Sequence, residues 1–283
     1  MALIGKIRHH AQRQIKGFDN RRKFARLVGA TLPKAPDPID ADAIRITGKI
    51  RQDGLAVLPK IISQSQIKDI LSYLSNHKVE NPYRPELGQF EVGDRNNGSN
   101  IGAYSSEVLS QCPHLLEIAN TPIVLDVISS FFGRKPTLSK IALWHSFANN
   151  QAAQNAENYH RDVDDVLFLK FFIYLTDVDE MSGPHVFIRG SQNDKKFLDI
   201  RRYSDSEIET SYPADDVLKI TGKSGSAFIE NTYGLHKGLV ARAKSRILLQ
   251  FEYSLFPIGA YNYDHGYIDA ARFDSYINRL HAA

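Results

Sequence analysis

A chain of 283 residues, 42% hydrophobic and 24% charged with a net charge of +3, can bury one full core but is too short for two large domains. Its single cysteine, Cys112, excludes an internal disulfide and a cysteine-based zinc cluster and reads as a structural thiol in a reducing, intracellular setting. No apolar run reaches the roughly eighteen residues of a transmembrane helix, and the first residues turn charged before any apolar signal segment forms, so a cytoplasmic location is expected.

Charge is unevenly placed. Residues 1–30 hold eight Lys/Arg and one acidic residue, leaving 27 basic against 31 acidic residues in the rest. In that segment Ile4, Ile7, Ala11, Ile15 and Phe18 recur at helical spacing, which is one face of an amphipathic helix. Two readings stand: a helix docked on its own domain, or a basic helix that meets an anionic partner or the inner face of an anionic membrane and takes no part in catalysis. Nucleic acid is not expected, because the remainder carries no basic stripe.

Pro33, Pro36 and Pro38 make residues 31–43 a linker, so a single domain is expected over 44–283. Gly54 to Leu58 suits a strand, and Ser63 with Gln66 has capping-box spacing ahead of Ile67, Ile70, Leu71 and Leu74, a helix. Residues 79–105 read as a polar loop, either over the active site or on the plain surface. Thr121 and Pro122 open a further helix that Gly133 stops. Thr137 to Phe147 has strand character, Asn149 to Asn158 is a polar loop, and strands and turns run from Val166 to Phe256. A C-terminal helix is expected from about Ile268 to Leu280. Helices followed by a run of strands favour the α+β class.

The chemistry centres on Tyr159-His160-Arg161-Asp162. In extended backbone His160 and Asp162 share one face and Arg161 takes the other. A second imidazole would complete a two-histidine, one-carboxylate facial triad, a donor set that leaves positions open and suits non-haem Fe(II). Other motifs fail: Gly222-Lys223-Ser224 has Val217 where a P-loop needs glycine, and no nucleophile elbow or zinc-protease helix occurs. His145 and His185 read as structural histidines.

Downstream lie Gly183-Pro184, Gly190-Ser191-Gln192, His236-Lys237-Gly238 and Arg246, with Asp53 to Pro59 upstream. In this order the residues resemble the phytanoyl-CoA dioxygenase family of Fe(II)- and 2-oxoglutarate-dependent oxygenases over roughly residues 50–255. Gln192 departs from the histidine common at its position. The resemblance implies a jelly-roll double-stranded β-helix, with His160, Asp162 and His236 as iron ligands. It also implies Arg246 as the partner of the distal carboxylate of 2-oxoglutarate, with Arg242 the competitor, and O2 as the oxidant. Lys170 either assists that carboxylate or forms a structural ion pair. Trp144, Arg161, Asn231 and Tyr233 are the candidates to line the substrate pocket.

The reaction so implied is hydroxylation of an unactivated carbon with release of succinate and CO2. An acyl-CoA, a small metabolite and a lipid- or sugar-linked compound all remain open as substrates. The alternative from another class is a non-catalytic jelly-roll module that binds a sugar or a protein partner.

Overall fold

The computed structural model describes residues 2–37, 40–94, 98–149 and 151–282, with side chains from residue 5 onward. Residues 38 and 39 of the expected linker, 95–97 of the first expected polar loop and 150 of the second lie outside the described residues.

Among those residues the helices are α1 (Ala2–Gln12), α2 (Phe18–Val28), α3 (Ala41–Asp53), α4 (Gln64–Leu74), α5 (Ser106–Ser110), α6 (Leu115–Ala119), α7 (Pro122–Phe132) and α8 (Asp205–Glu209). The strands are β1 (Leu55–Val57), β2 (Val79–Glu80), β3 (Gln89–Phe90), β4 (Ile101–Ala103), β5 (Thr137–Ser146), β6 (Phe168–Tyr174), β7 (His185–Ile188), β8 (Val217–Ile220), β9 (Ala227–Glu230), β10 (His236–Gly238) and β11 (Arg246–Ser254). One sheet has the order β1-β9-β6-β11-β5-β4-β2-β3 and the other β10-β7-β8, with antiparallel neighbours throughout. Phe172, Phe228 and Leu248 of the large sheet pack with Phe187 of the small one, which closes the two into a double-stranded β-helix.

Strand β6 shows how the sequence builds this. All seven of its residues are buried, and alternate residues face opposite ways. Leu169, Phe171 and Ile173 join Leu249, Phe251, Ile141 and Leu143 in the outer core, against Ile46 and Ile50 of α3 and Val124, Val127 and Ile128 of α7. Lys170, Phe172 and Tyr174 point inward, between the sheets.

The capping box of α4 forms as expected: Gln66 N–H donates to Ser63 Oγ at 3.2 Å and Ser63 N–H to Gln66 Oε1 at 3.0 Å. Helix α7 has the expected bounds, but Thr121 makes no side-chain cap and its hydroxyl donates to Ile118 O at 2.8 Å instead. Helix α3 had no counterpart in the sequence reading. It is capped by Asp40, which accepts from Asp42 N–H at 2.8 Å, and its exposed Ile44 blurs the apolar stripe of Ile46 and Ile50.

Three expectations are corrected. The stretch 79–105, expected as a polar loop, contributes β2, β3 and β4 to the large sheet. The N-terminal segment is two helices broken before Gly17 (φ 83°), and both lie on the domain: Gln12, Phe18, Arg21 and Ala25 are buried. The helix expected over 268–280 is absent; a single 3-10 turn, Ala270–Arg272, is followed by turns. The Asp274 carboxylate accepts from the N–H groups of Tyr276 and Ile277, and the Ile277 carbonyl is taken by Leu138 N–H at 3.0 Å, so the segment's backbone groups serve other contacts. No helix among the described residues is long and apolar enough to cross a membrane.

Candidate metal centre

His160 sits in an isolated antiparallel bridge with His236, each N–H donating to the other's carbonyl at 3.0 Å, while Asp162 N–H donates to Thr232 O at 2.9 Å. The triplet is therefore extended backbone zipped onto the turn before β10 rather than a full strand. One ligand atom from each of His160, Asp162 and His236 falls within a 4.8 Å span. His160 Nε2 lies 3.5 Å from Asp162 Oδ1, and His236 Nε2 lies 3.4 Å from Asp162 Oδ2.

The surroundings orient these groups. His160 Nδ1–H donates to Asn158 O at 2.9 Å and His236 Nδ1–H to Gly234 O at 3.0 Å. Each bond aims Nε2 into the site, where it can bind a metal once it carries no proton. Burial pushes the His160 pKa well below its usual value, with the His236 charge adding to it. Burial pushes Asp162 upward, but Lys170 and His236 more than offset this, so its carboxyl lies well below the usual range. An ionised carboxylate and two imidazoles at this spacing fit one divalent ion.

Lys170 Nζ reaches Asp162 Oδ2 at 2.7 Å and Asp164 Oδ2 at 2.9 Å. Burial alone would lower its pKa; Asp162, Asp164 and Glu252 instead hold it well above normal. Between the two readings of Lys170, the structure places it on carboxylates of the protein. Register shows more: Lys140 of β5, Glu252 of β11, Lys170 of β6 and Glu230 of β9 are consecutive cross-strand partners. This inward row alternates amine and carboxyl groups across the floor of the site. At its far end His185 Nε2 and Glu230 Oε2 stand 2.8 Å apart. Burial lifts Glu230 to about 8 and drives His185 well below its usual value, so the contact joins two neutral groups.

Arg246 is buried and lines the same cavity, of about 330 Å³. Its Nη1 donates to Gly183 O and its Nη2 to Ser146 Oγ at 3.0 Å, while Nε has no partner. Gly183 takes φ 68° as it presents that carbonyl, and a Cβ at Gly238 would stand 3.2 Å from Nη2. The glycine of His-Lys-Gly thus keeps space beside a guanidinium whose charge suits a carboxylate partner. Arg242 is outside: its Nη1 donates to Gln151 O at 2.9 Å on the exposed surface.

Of the four pocket candidates only Trp144 lines the cavity. Arg161 takes the opposite face of the extended triplet and is consumed by the carbonyls of Phe197, Lys196 and Tyr233 and by Asp194. Asn231 shapes the turn before His236, accepting from Tyr233 N–H at 3.3 Å. Tyr233 faces the N-terminal segment, its ring stacked on Phe18 at 5.9 Å. Both expected loops supply walls, Pro82 and Tyr83 from one and Ala156 and Glu157 from the other. Sequence reasoning missed Lys140 and Gln250, although each lies an even number of residues from a recognised inward position, Trp144 and Arg246. His145 is absent from the cavity wall, whereas His185 lines it; Gln192 fills its histidine-like position by donating to Gln52 O at 3.1 Å.

A comparison with curated protein sequences finds no match. Among solved structures, the non-heme alpha ketoglutarate dependent epimerase SnoN from nogalamycin biosynthesis aligns at TM-score 0.54 and 15% identity over 75% of this chain and 83% of its own. HygX from Streptomyces hygroscopicus with nickel and 2-oxoglutarate bound aligns at 0.55 and 13% over 76% and 87%. EctD from S. alaskensis with bound Fe aligns at 0.54 and 16% over 79% and 83%. At such identity the likeness carries the fold. The model of the phytanoyl-CoA dioxygenase (PhyH) family matches residues 50–244. This chain belongs to the phytanoyl-CoA dioxygenase family and is a non-haem iron, 2-oxoglutarate-dependent oxygenase.

Proposed function

We propose that His160, Asp162 and His236 hold the Fe(II), that Arg246 receives the distal carboxylate of 2-oxoglutarate, and that the enzyme hydroxylates an unactivated carbon of a polar small molecule. The iron, when bound, supplies oxidative decarboxylation coupled to C–H oxidation: 2-oxoglutarate, O2 and the substrate's C–H become succinate, CO2 and C–OH. The observation that carries this reading is the convergence of the three ligand atoms within 4.8 Å in the cavity that Arg246 also lines.

The chain's own residues divide the remaining work. Lys170 holds one Asp162 oxygen, limiting how the carboxylate turns. Arg246 offers a planar fork that a lysine cannot reproduce. Tyr83, Lys140, Trp144, Glu157 and Tyr261 form a wall of mixed polarity, suited to a compact polar substrate. The ligands in related structures, hygromycin B in HygX and 5-hydroxyectoine in EctD, support a small molecule here. An intact carboxylate at Asp162 also favours hydroxylation over halogenation, which needs that position for a halide.

The test is an anaerobic titration of the Fe(II) protein with 2-oxoglutarate, read by the visible charge-transfer band of keto-acid chelation. Wild type develops the band. Arg246→Ala retains iron but needs tens- to several-hundredfold more 2-oxoglutarate, from a loss of about 2 to 4 kcal/mol, while Arg242→Ala matches wild type. No band in wild type at any concentration overturns the reading. Succinate release and gain of one oxygen across a panel of polar metabolites then identify the substrate.

A further inference from the structure

Residues 2–28 lie outside the region matched by the family model, residues 50–244, yet they touch both segments that carry the metal-ligand candidates. The backbone of residues 163–165, which follows Asp162 directly, belongs to no helix or strand. Its three successive carbonyls are met by side chains from the N-terminal helices. Gln12 Nε2 donates to Val163 O at 2.7 Å, His9 Nδ1 bonds to Asp164 O at 3.0 Å, and Arg21 Nη2 donates to Asp165 O.

Gln12 and Arg21 are 2% and 1% exposed, and they lock each other, since Arg21 donates to both the side-chain and backbone oxygens of Gln12. The second arm reaches the turn ahead of His236. Gly17 N–H donates to the Tyr233 hydroxyl at 2.9 Å, Phe18 stacks on the Tyr233 ring, and the Arg21 guanidinium lies 4.9 Å from its centroid.

We propose that the N-terminal helix pair is a strap that positions the metal centre, with Gln12, Arg21 and Tyr233 as its positioning residues. The strap fixes the 163–165 loop, whose Asp164 shares Lys170 with Asp162, and fixes the turn from which His236 emerges. A buried carbonyl that loses its donor must move toward water or another partner, and here the backbone that would move is the one presenting Asp162. The inference rests on the ligand assignment above. Strap docking and metal binding must then strengthen each other, because coupling between two sites is reciprocal.

Two readouts on the full-length protein test this, with Ni(II) plus 2-oxoglutarate as the probe. Gln12→Ala binds Ni(II) about tenfold more weakly than wild type, the scale for losing an outer contact of a metal site. Tyr233→Phe, which keeps the ring and loses only the acceptor of the Gly17 N–H, shows a shift in the same direction. Native-state hydrogen exchange then reads the reverse coupling: Ni(II) and 2-oxoglutarate slow the Gly17 amide by a larger factor than the amides of α4. Simple packing of a terminal segment produces no such excess. Wild-type Ni(II) affinity in both variants, or equal protection of Gly17 and α4, overturns the strap alone. Failure of wild type to bind Ni(II) overturns the ligand assignment and the strap with it.

Discussion

The two faces of the eight-stranded sheet are made from the same strands and do different things. On the outer face of β6, Leu169, Phe171 and Ile173 meet helices through apolar contact alone. On the inner face Lys170 stands in a row with Lys140, Glu252 and Glu230. Apolar packing tolerates small shifts and is non-directional, whereas buried charges demand partners at fixed distances. Stability is therefore concentrated outside and geometry inside, one residue apart along the chain.

The first way to break this comparison is Lys170→Met, which strips the shared cation from Asp162 and Asp164. Leaving buried carboxylates uncompensated costs about 3 to 5 kcal/mol in the metal-free protein. Added Ni(II) recovers more stability in the variant than in wild type, because the ion replaces part of the lost charge. Denaturant unfolding with and without Ni(II) measures both. Equal recovery would show that Lys170 and the metal do not share Asp162.

Ile128→Ala acts on the other face. Its side chain is fully buried in the outer core, and the cavity left behind costs about 2 to 5 kcal/mol. Calorimetric titration shows unchanged 2-oxoglutarate affinity for the folded, Ni(II)-loaded protein; a large affinity loss would mean the faces are not separable.

A smaller effect comes from His281, which bonds Leu138 O at 2.9 Å beside the outer core and is lowered to about 4 by burial. Its folded pKa lies below the unfolded value, so the unfolded chain binds more protons as acid is added. The stability from the neutral imidazole is complete above about pH 6.5 and is lost as pH falls toward 4, amounting to up to about 2 kcal/mol between pH 7 and 5. His281→Gln flattens that part of the pH profile in thermal unfolding; an unchanged slope would exclude His281 as its source.

The legibility of the sequence follows the same division. The convergence of His160, Asp162 and His236 in the cavity that Arg246 lines is legible because each sits in a short motif, and β5, β6, α4 and α7 because period and caps agree locally. Partnership was not readable. Lys170 has two readings in the sequence, and its choice of Asp162 and Asp164 depends on how the loop after Asp162 folds back. Arg161, Asn231 and Tyr233 are near in sequence to the candidate ligands, but tertiary packing turns them toward carbonyls, a turn and the N-terminal helices. The apolar residues after Ile268 suggested a helix that Asp274 and the contacts of Ile277 divert into turns.

Adjacent residues of one type, Phe171 outside and Phe172 inside, offer the most direct measurement. Phe171 stacks on Phe251 at 5.3 Å, and Phe172 lies against Phe228 and His185 at 5.0 and 5.2 Å on the cavity wall. Both Phe171→Leu and Phe172→Leu lower the melting temperature. Titration of 2-oxoglutarate into the Ni(II)-loaded variants separates them: Phe172→Leu weakens binding by about fivefold or more, roughly 1 kcal/mol, and Phe171→Leu leaves it at the wild-type value. Equal shifts in the two variants, or a shift in Phe171→Leu alone, would contradict the division of labour between the faces.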